Sequence, residues 1–225
     1  MHSLFAIMML SMASVSAQGS ASPSQGASIA LPEPKRTGEV SIEATLDQRR
    51  SVRRYDSASL SLQEISQLVW AAQGVTEPRD GLRTAPSAGA TFPLEVDLLV
   101  AGSEGLEDGV YRYRPREHSL VQRIAGDLRR DLHDAALGQA AILEAPVVMV
   151  ISGVTSRTAR RYGPRAERYV HMEAGHAAQN VYLQGTALDI GTVVIGAFRD
   201  DAVSRTLRLD RGEQPLYLMP LGRLR

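Results

Sequence analysis

The chain has 225 residues, with Lys+Arg and Asp+Glu balanced at 25 each and no cysteine. That length accommodates one domain with a sizeable core. The balanced charge gives no reason to expect nucleic acid or an anionic membrane as partner, and the missing thiol excludes disulfides, thiolate metal sites and cysteine nucleophiles.

Residues 1–17 read as an export signal. Residues 4–12 are mostly apolar, and Val15-Ser16-Ala17 fits the small-x-small pattern before a cleavage point. The apolar run is too short to span a bilayer as a helix. The expectation is export to the periplasm, with no membrane attachment after processing. The n-region holds no Lys or Arg, so a disordered extension on a cytoplasmic protein is the alternative. Residues 18–39, rich in Ser, Gly, Ala and Pro, read as a flexible linker. The folded domain is then 40–225.

Arg49-Arg50-Ser51-Val52-Arg53-Arg54-Tyr55 is a compact anion site in prospect. Arginine offers a planar fork of donors and keeps its charge, which suits phosphate. Ser51 adds a hydroxyl, and Val52 and Tyr55 anchor the segment to the core. A solvated basic patch is the plainer reading of the same residues. Ser61 and Glu64 form a capping box for a helix with Ile65, Leu68, Val69 and Ala72 on one face, stopped by Gly74.

The segment Arg83-Thr84-Ala85-Pro86-Ser87-Ala88-Gly89-Ala90-Thr91-Phe92-Pro93 is a loop of mostly small residues, open to a flat ligand. A strand over 94–101 follows, then a hairpin of 109–114 and 119–124 around Pro115-Arg116-Glu117. The pattern next predicts a helix over 128–143 and a strand buried on both faces over 146–154. Residues 155–168 are polar and arginine-rich, and read as a mobile loop.

Val170, Ala174, Ala177, Ala178, Val181, Gly185 and Leu188 recur at three- and four-residue steps, which predicts a helix over 168–188. Its small residues admit a second backbone, so the face is buried in its own domain or against a second subunit. Residues 192–195 read as a short strand ending at Gly196, where a backbone N–H can meet a ligand. Asp200 caps a last helix, and residues 215–221 form a final strand. Arg223 and Arg225 are two apart on extended chain, so both point the same way. No HExxH, paired CxxC, P-loop or GxSxG occurs, and His171 and His176 fall on different faces of their helix, so no metal site is expected. The fold class is α+β, with a mostly antiparallel sheet of four or five strands flanked by helices.

Four segments in order then carry a resemblance: Arg49-Arg50-Ser51-Val52-Arg53, Ala85-Pro86-Ser87-Ala88-Gly89-Ala90, Glu173-Ala174-Gly175-His176-Ala177-Ala178-Gln179-Asn180, and Val194-Ile195-Gly196-Ala197-Phe198. Together they resemble the FMN-dependent nitroreductase superfamily, in its SagB-type (azoline oxidase-like) dehydrogenase branch. The resemblance implies an intertwined homodimer with FMN at the subunit interface. It implies that Arg49, Arg50, Ser51 and Arg53 hold the phosphate and ribityl chain, with Arg223 and Arg225 closing on the phosphate. It implies that Pro86, Ser87, Ala88 and Gly89 reach the partner's flavin, that Ile195, Gly196 and Ala197 line the ring system, and that the 168–188 helix is the central dimer helix.

The implied activity is hydride or electron transfer between NAD(P)H, or an organic donor, and a small organic acceptor. Where azoline oxidases of this branch carry a lysine–tyrosine pair, this chain has Arg161-Tyr162. Arginine is a poor general base, which leaves Tyr162 as the candidate proton donor. The competing readings are a flavin-binding carrier or sensor without turnover, and a basic-patch binding module without flavin.

Overall fold

The computed structural model describes residues 28–225, so the expected export signal lies outside the described residues. In chain order the strands and helices begin with β1 (Ser28–Ala30), α1 (Ile42–Gln48), α2 (Leu62–Gln73) and the small hairpin β2 (Val75–Glu77) and β3 (Leu82–Arg83). Strands β4 (Leu94–Val100), β5 (Gly109–Arg114) and β6 (Ser119–Ala125) follow, then α3 (Arg129–Ala135), α4 (Ala141–Glu144) and β7 (Val147–Gly153). The chain closes with α5 (Thr155–Tyr162), α6 (Ala166–Ala187), β8 (Ile190–Thr192), α7 (Asp200–Leu207) and β9 (Gln214–Arg223).

A seven-stranded sheet in the order β1-β6-β5-β4-β7-β9-β8 divides the molecule into layers. Every neighbouring pair in it is antiparallel. Strand β7 lies inside the sheet and is buried along its whole length. Its side chains alternate. Val147, Met149 and Ile151 join one core with Ile65, Leu68 and Val69 of α2 and Val170, Ala177 and Val181 of α6. Val148 and Val150 join a second core with Leu132 of α3, Ile142 of α4, and Val203 and Leu207 of α7. A continuous apolar run is what a strand covered on both faces requires.

Helix α2 starts as its sequence dictates. Ser61 Oγ accepts from the Glu64 N–H at 3.3 Å, and Glu64 Oε2 accepts from the Ser61 N–H at 2.9 Å. Burial pushes the Glu64 carboxyl up, but its bonds to Ser61 and the Arg223 guanidinium outweigh that and hold it below the ordinary 4.5. A lowered folded-state pKa adds stability above the unfolded value, and that stability is lost as pH falls through the folded value. Ser61→Ala removes the cap and is expected to lower stability by about 1 kcal/mol in urea denaturation at pH 7; an unchanged midpoint would mean the cap contributes nothing.

Several expectations are corrected. The sheet has seven strands rather than four or five. Ser28–Ala30, inside the segment read as linker, pairs with β6, and Leu31 is buried with its N–H on the His118 carbonyl. The open edge of β6 supplies ladder partners that composition cannot reveal. The helix over 128–143 is broken into α3 and α4, because Leu137 and Gly138 both take positive φ. Residues 155–168 are not a loop: α5 fills 155–162, with Thr158 buried and Arg160 and Arg161, good helix formers, facing outward. Asp200 does not cap α7. Arg199 occupies that position, and Asp200 lies in the first turn, where the helix dipole favours an acid. The strand expected at 192–195 is Ile190–Thr192, with Ile195 rejoining the sheet only as a bridge to Leu218.

The small-residue face of α6, read as buried in its own domain or against a second subunit, packs within its own domain. Ala174, Ala177 and Ala178 are 0–3% exposed within the single chain. A Cβ on Gly185 would lie 2.8 Å from the Ile190 carbonyl oxygen. Small side chains let α6 press against its own α2 and β8, so this face is not the one offered to a second subunit. Arg168, His171, Met172, His176 and Gln179 stay exposed on the other side.

Between β4, β5 and the turn before β9 lies a buried charge cluster. Arg112, 3% exposed, donates to both oxygens of Asp97 at 2.8 and 2.9 Å and to both oxygens of Glu213 at 2.7 and 2.8 Å. Glu95 approaches the same guanidinium at 3.2 Å and also pairs with Arg157 of α5. Burial alone would favour loss of the Arg112 proton. The bonds to Glu213 and Asp97 outweigh it and raise the pKa above the ordinary arginine value.

Candidate active site

Helix α1 ends at Arg49, whose N–H bonds the Thr45 carbonyl at 2.9 Å. The chain then runs extended beside the ends of β8 and β9. Ser51 bridges Thr192 in parallel, the Val52 N–H bonds the Thr192 carbonyl at 2.8 Å, and Tyr55 bridges Leu224. The Tyr55 hydroxyl donates to the carbonyls of Val52 and Pro220, and burial pushes its pKa up. Val52 and Tyr55 thus anchor the segment as their apolar character predicts.

The residues expected to meet an anion divide into groups. The Arg49 guanidinium lies over the Tyr182 ring, 5.1 Å from its centroid. Ser51 Oγ lies 3.2 Å from the Tyr182 hydroxyl. Arg50 is turned back onto the Asp47 and Arg49 carbonyls, at 2.7 and 2.8 Å. Arg53, Arg54 and Arg225 line a shallow depression of about 640 Å³ with Val52 and Leu224. Among the described residues, no carboxylate pairs with Arg49, Arg53, Arg54 or Arg225. Arg223 and Arg225 do not act as one pair, because Arg223 is held by Glu64 of α2 and donates to the Leu188 carbonyl at 3.2 Å.

Next to this turn is the chain after β8. The Val194 N–H donates to the Tyr182 hydroxyl at 2.8 Å. Ile195 exchanges both backbone hydrogen bonds with Leu218, at 2.8 and 3.0 Å. Gly196 and Ala197 emerge exposed immediately afterwards. A Cβ built on Gly196 finds only Tyr217, at 4.0 Å, so the backbone there has an open side.

Residues 86–92 form a second cluster. The Ala88 N–H donates to Glu173 of α6 at 2.8 Å, and the Phe92 N–H to Ser87 Oγ at 2.9 Å. Burial pushes the Glu173 carboxyl up, opposed by its hydrogen bonds to Ala88 and Ser87. Gly89 has φ +59°, the left-handed region that glycine adopts freely. Tyr162 sits against it, its hydroxyl 2.7 Å from where a Gly89 Cβ would be, with its ring edge-on to Tyr169. Arg161 donates to the Gly89 carbonyl at 3.4 Å.

The two clusters attach to α6 at Glu173 and Tyr182. At 1.5 Å per residue these positions are roughly 13 Å apart along the helix axis. One chain therefore joins Arg49, Ser51 and Gly196, and separately joins Ser87, Ala88, Gly89 and Tyr162. Sequence reasoning missed Tyr182, Glu173 as an anchor for the loop, and Glu64 as the partner of Arg223. The available signal for Tyr182 was an amphipathic aromatic on a helix whose neighbours are small.

A groove of about 1050 Å³ runs between the 35–42 segment, α2 and α6, lined by Val40, Ile42, Trp70, Asn180, Leu183 and Gln184 among others. Val40, Ile42 and Leu46 beside it are 41–55% exposed. No helix among the described residues is long and apolar enough to cross a membrane.

The model of the Nitroreductase family matches residues 46–223. MJ1384 of Methanocaldococcus jannaschii, a protein named as a nitroreductase, is 49% identical over 185 residues, spanning 82% of this chain and 92% of that one. The microcin B17-processing protein McbC of Escherichia coli is 27% identical over 173 residues, spanning 74% of this chain and 64% of its own. A crystal structure from Ralstonia eutropha, also named as a nitroreductase, superposes with TM-score 0.77 at 32% identity, covering 88% of this chain and 90% of that one.

Proposed function

Since the chain belongs to the nitroreductase family, whose members are oxidoreductases, we propose that it is an FMN-dependent oxidoreductase of the SagB-type branch, acting as a homodimer. The likeness to McbC supports the branch. The observation that carries the cofactor is the gathering of Arg49, Ser51 and the Val194 N–H around Tyr182, with the open backbone of Gly196 two residues beyond Val194. A phosphate needs charge-assisted donors, and Arg49, Ser51, Arg53 and Arg225 would supply them. Ile195, Gly196 and Ala197 would line the ring system, where a side chain larger than glycine's would fill the open side. The bound flavin would supply hydride and electron transfer.

The chain's own residues bind, orient and deliver protons. Arg223, held by Glu64, would act at the edge of the phosphate site rather than beside Arg225. Pro86, Ser87, Ala88 and Gly89, pinned by Glu173, would meet the flavin of a second subunit and complete its site. Tyr162 beside Gly89 would then donate a proton there. An arginine stands where a general base would be needed, at Arg161, and arginine is a poor base, so peptide azoline oxidation is not the favoured reaction. The exposed Val40, Ile42 and Leu46 and the groove at Trp70 support the dimer, since large exposed apolar patches mark interaction surfaces. Export to the periplasm, proposed on the reading of residues 1–17, rests on that segment alone.

The proposed donor is NAD(P)H or an organic molecule, and the proposed acceptor a small organic molecule. Steady oxidation of NAD(P)H with a quinone or nitroaromatic acceptor, in ping-pong kinetics, is the expected result. Bound FMN with no turnover for any donor or acceptor would instead mean a flavin carrier or sensor.

A further inference from the structure

We infer that Tyr182 is a positioning residue that couples the anion-binding turn to the loop carrying Gly196, an inference that rests on the FMN reading. The side chain makes three contacts, two to the turn of Arg49 and Ser51 and one to the chain that leads to Gly196. Its ring lies beneath Arg49, at 5.1 Å. Its hydroxyl accepts from the Val194 N–H at 2.8 Å. The same hydroxyl lies 3.2 Å from Ser51 Oγ.

Either hydroxyl can donate in that last contact, and the arrangement that serves an anion is the one in which the phenol donates. The Val194 N–H occupies an acceptor position on the phenol oxygen, and the phenol's own proton is then available to Ser51 Oγ. With that oxygen accepting, the Ser51 proton is free to turn outward to an anion. On the other side, Val194 is fixed by Tyr182 and Ile195 by Leu218. Their anchoring leaves Gly196 at a set position. Tyr182 itself stands on α6, a 22-residue helix buried along one face, so its position is given by the core rather than by a loop. One side chain therefore sets the phosphate donors and the ring-facing backbone relative to each other. This is the support that a preorganised site requires from residues behind those touching the ligand.

Tyr182→Phe keeps the ring under Arg49 and removes both hydroxyl contacts. Tyr182→Leu removes all three. Dissociation constants for FMN, melting temperatures, visible spectra and flavin midpoint potentials of the refolded holoproteins test the assignment. Tyr182→Phe is expected to raise the Kd for FMN about tenfold and Tyr182→Leu about a hundredfold. Both should shift the flavin spectrum and potential, because the Gly196 loop moves. In combination with Ser51→Ala, the effect of Tyr182→Phe should be less than multiplicative, since both changes remove the same hydroxyl contact. Wild-type Kd, spectrum and potential in Tyr182→Phe, or a fully multiplicative double variant, would overturn the coupling. A lowered melting temperature with unaltered flavin properties would overturn it too, leaving a structural tyrosine only. Wild-type protein that takes up no FMN would instead remove the cofactor reading itself, and the coupling with it.

Discussion

Arg112→Met is expected to destabilise the fold by about 3–5 kcal/mol, the effect of removing one partner from a buried ion pair. Asp97 is 0% exposed and Glu213 is 9% exposed, and both depend on the Arg112 guanidinium. Without it, Asp97 and Glu213 stay in a dry site, and the cation left beside Asp97 is Arg123, 3.7 Å away. The pH dependence separates lost charge from lost volume. Burial pushes the Asp97 carboxyl up, and Arg112 is the main group opposing that push. Removing Arg112 raises the folded pKa further. An acid with a raised folded pKa contributes stability below its unfolded value and loses it as pH rises through the folded value. The deficit of Arg112→Met relative to wild type is therefore expected to shrink as the pH is lowered toward the ordinary carboxylate range. Urea denaturation at pH 7 and at pH 5 measures both. A deficit under 1 kcal/mol, or one independent of pH, would contradict the role assigned to the cluster. Replacing Arg112, Asp97 and Glu213 together by apolar residues should recover most of the loss, because no charge is then left unpaired.

The second large effect is on the cofactor. Arg49→Ala and Arg53→Ala are each expected to weaken FMN binding by about 1.5–3 kcal/mol, the range for a hydrogen bond to a charged group. Arg50→Ala is expected to change it by less than about 0.5 kcal/mol, since Arg50 is already committed to the Asp47 and Arg49 carbonyls. Quenching of FMN fluorescence on titration reads all three. Full retention of affinity in Arg49→Ala and Arg53→Ala would move the phosphate elsewhere. Equal loss in Arg50→Ala would mean that its guanidinium leaves the backbone to meet the ligand.

Where the sequence carried a local rule, the fold was legible. The capping box at Ser61 and Glu64, the hairpin around Pro115, the apolar run of β7 and the 3.6-residue pattern of α6 each encode their element within a few neighbouring residues. Strand β1 was not legible, because what orders Ser28–Ala30 is the edge of β6, more than 80 residues away. Helix α5 was hidden because polar, arginine-rich composition looks the same in an exposed helix and in a loop, and only the buried Thr158 and the Arg157–Glu95 pair distinguish them. The break between α3 and α4 turns on positive φ at Leu137, which leucine does not advertise.

The site divides the same way. Arg49, Ser51 and Gly196 stand out as residue types suited to an anion and to close backbone approach, and the structure gathers Arg49 and Ser51 at Tyr182 with Gly196 two residues beyond the Val194 contact. Tyr182 does not stand out, because its role depends on three partners that meet it only in the folded chain. The small residues of α6 were visible, but which neighbour they admit was not. Ala177 and Gly185 face α2 and β8 of their own chain.

The most direct measurement is the visible absorption spectrum of the purified full chain, with the released chromophore identified by mass and its amount set against the protein. FMN near one per subunit is the expected result. Colourless protein that also takes up no added FMN would contradict the FMN site, and the unpaired arginines Arg49, Arg53 and Arg225 would then serve a different anion.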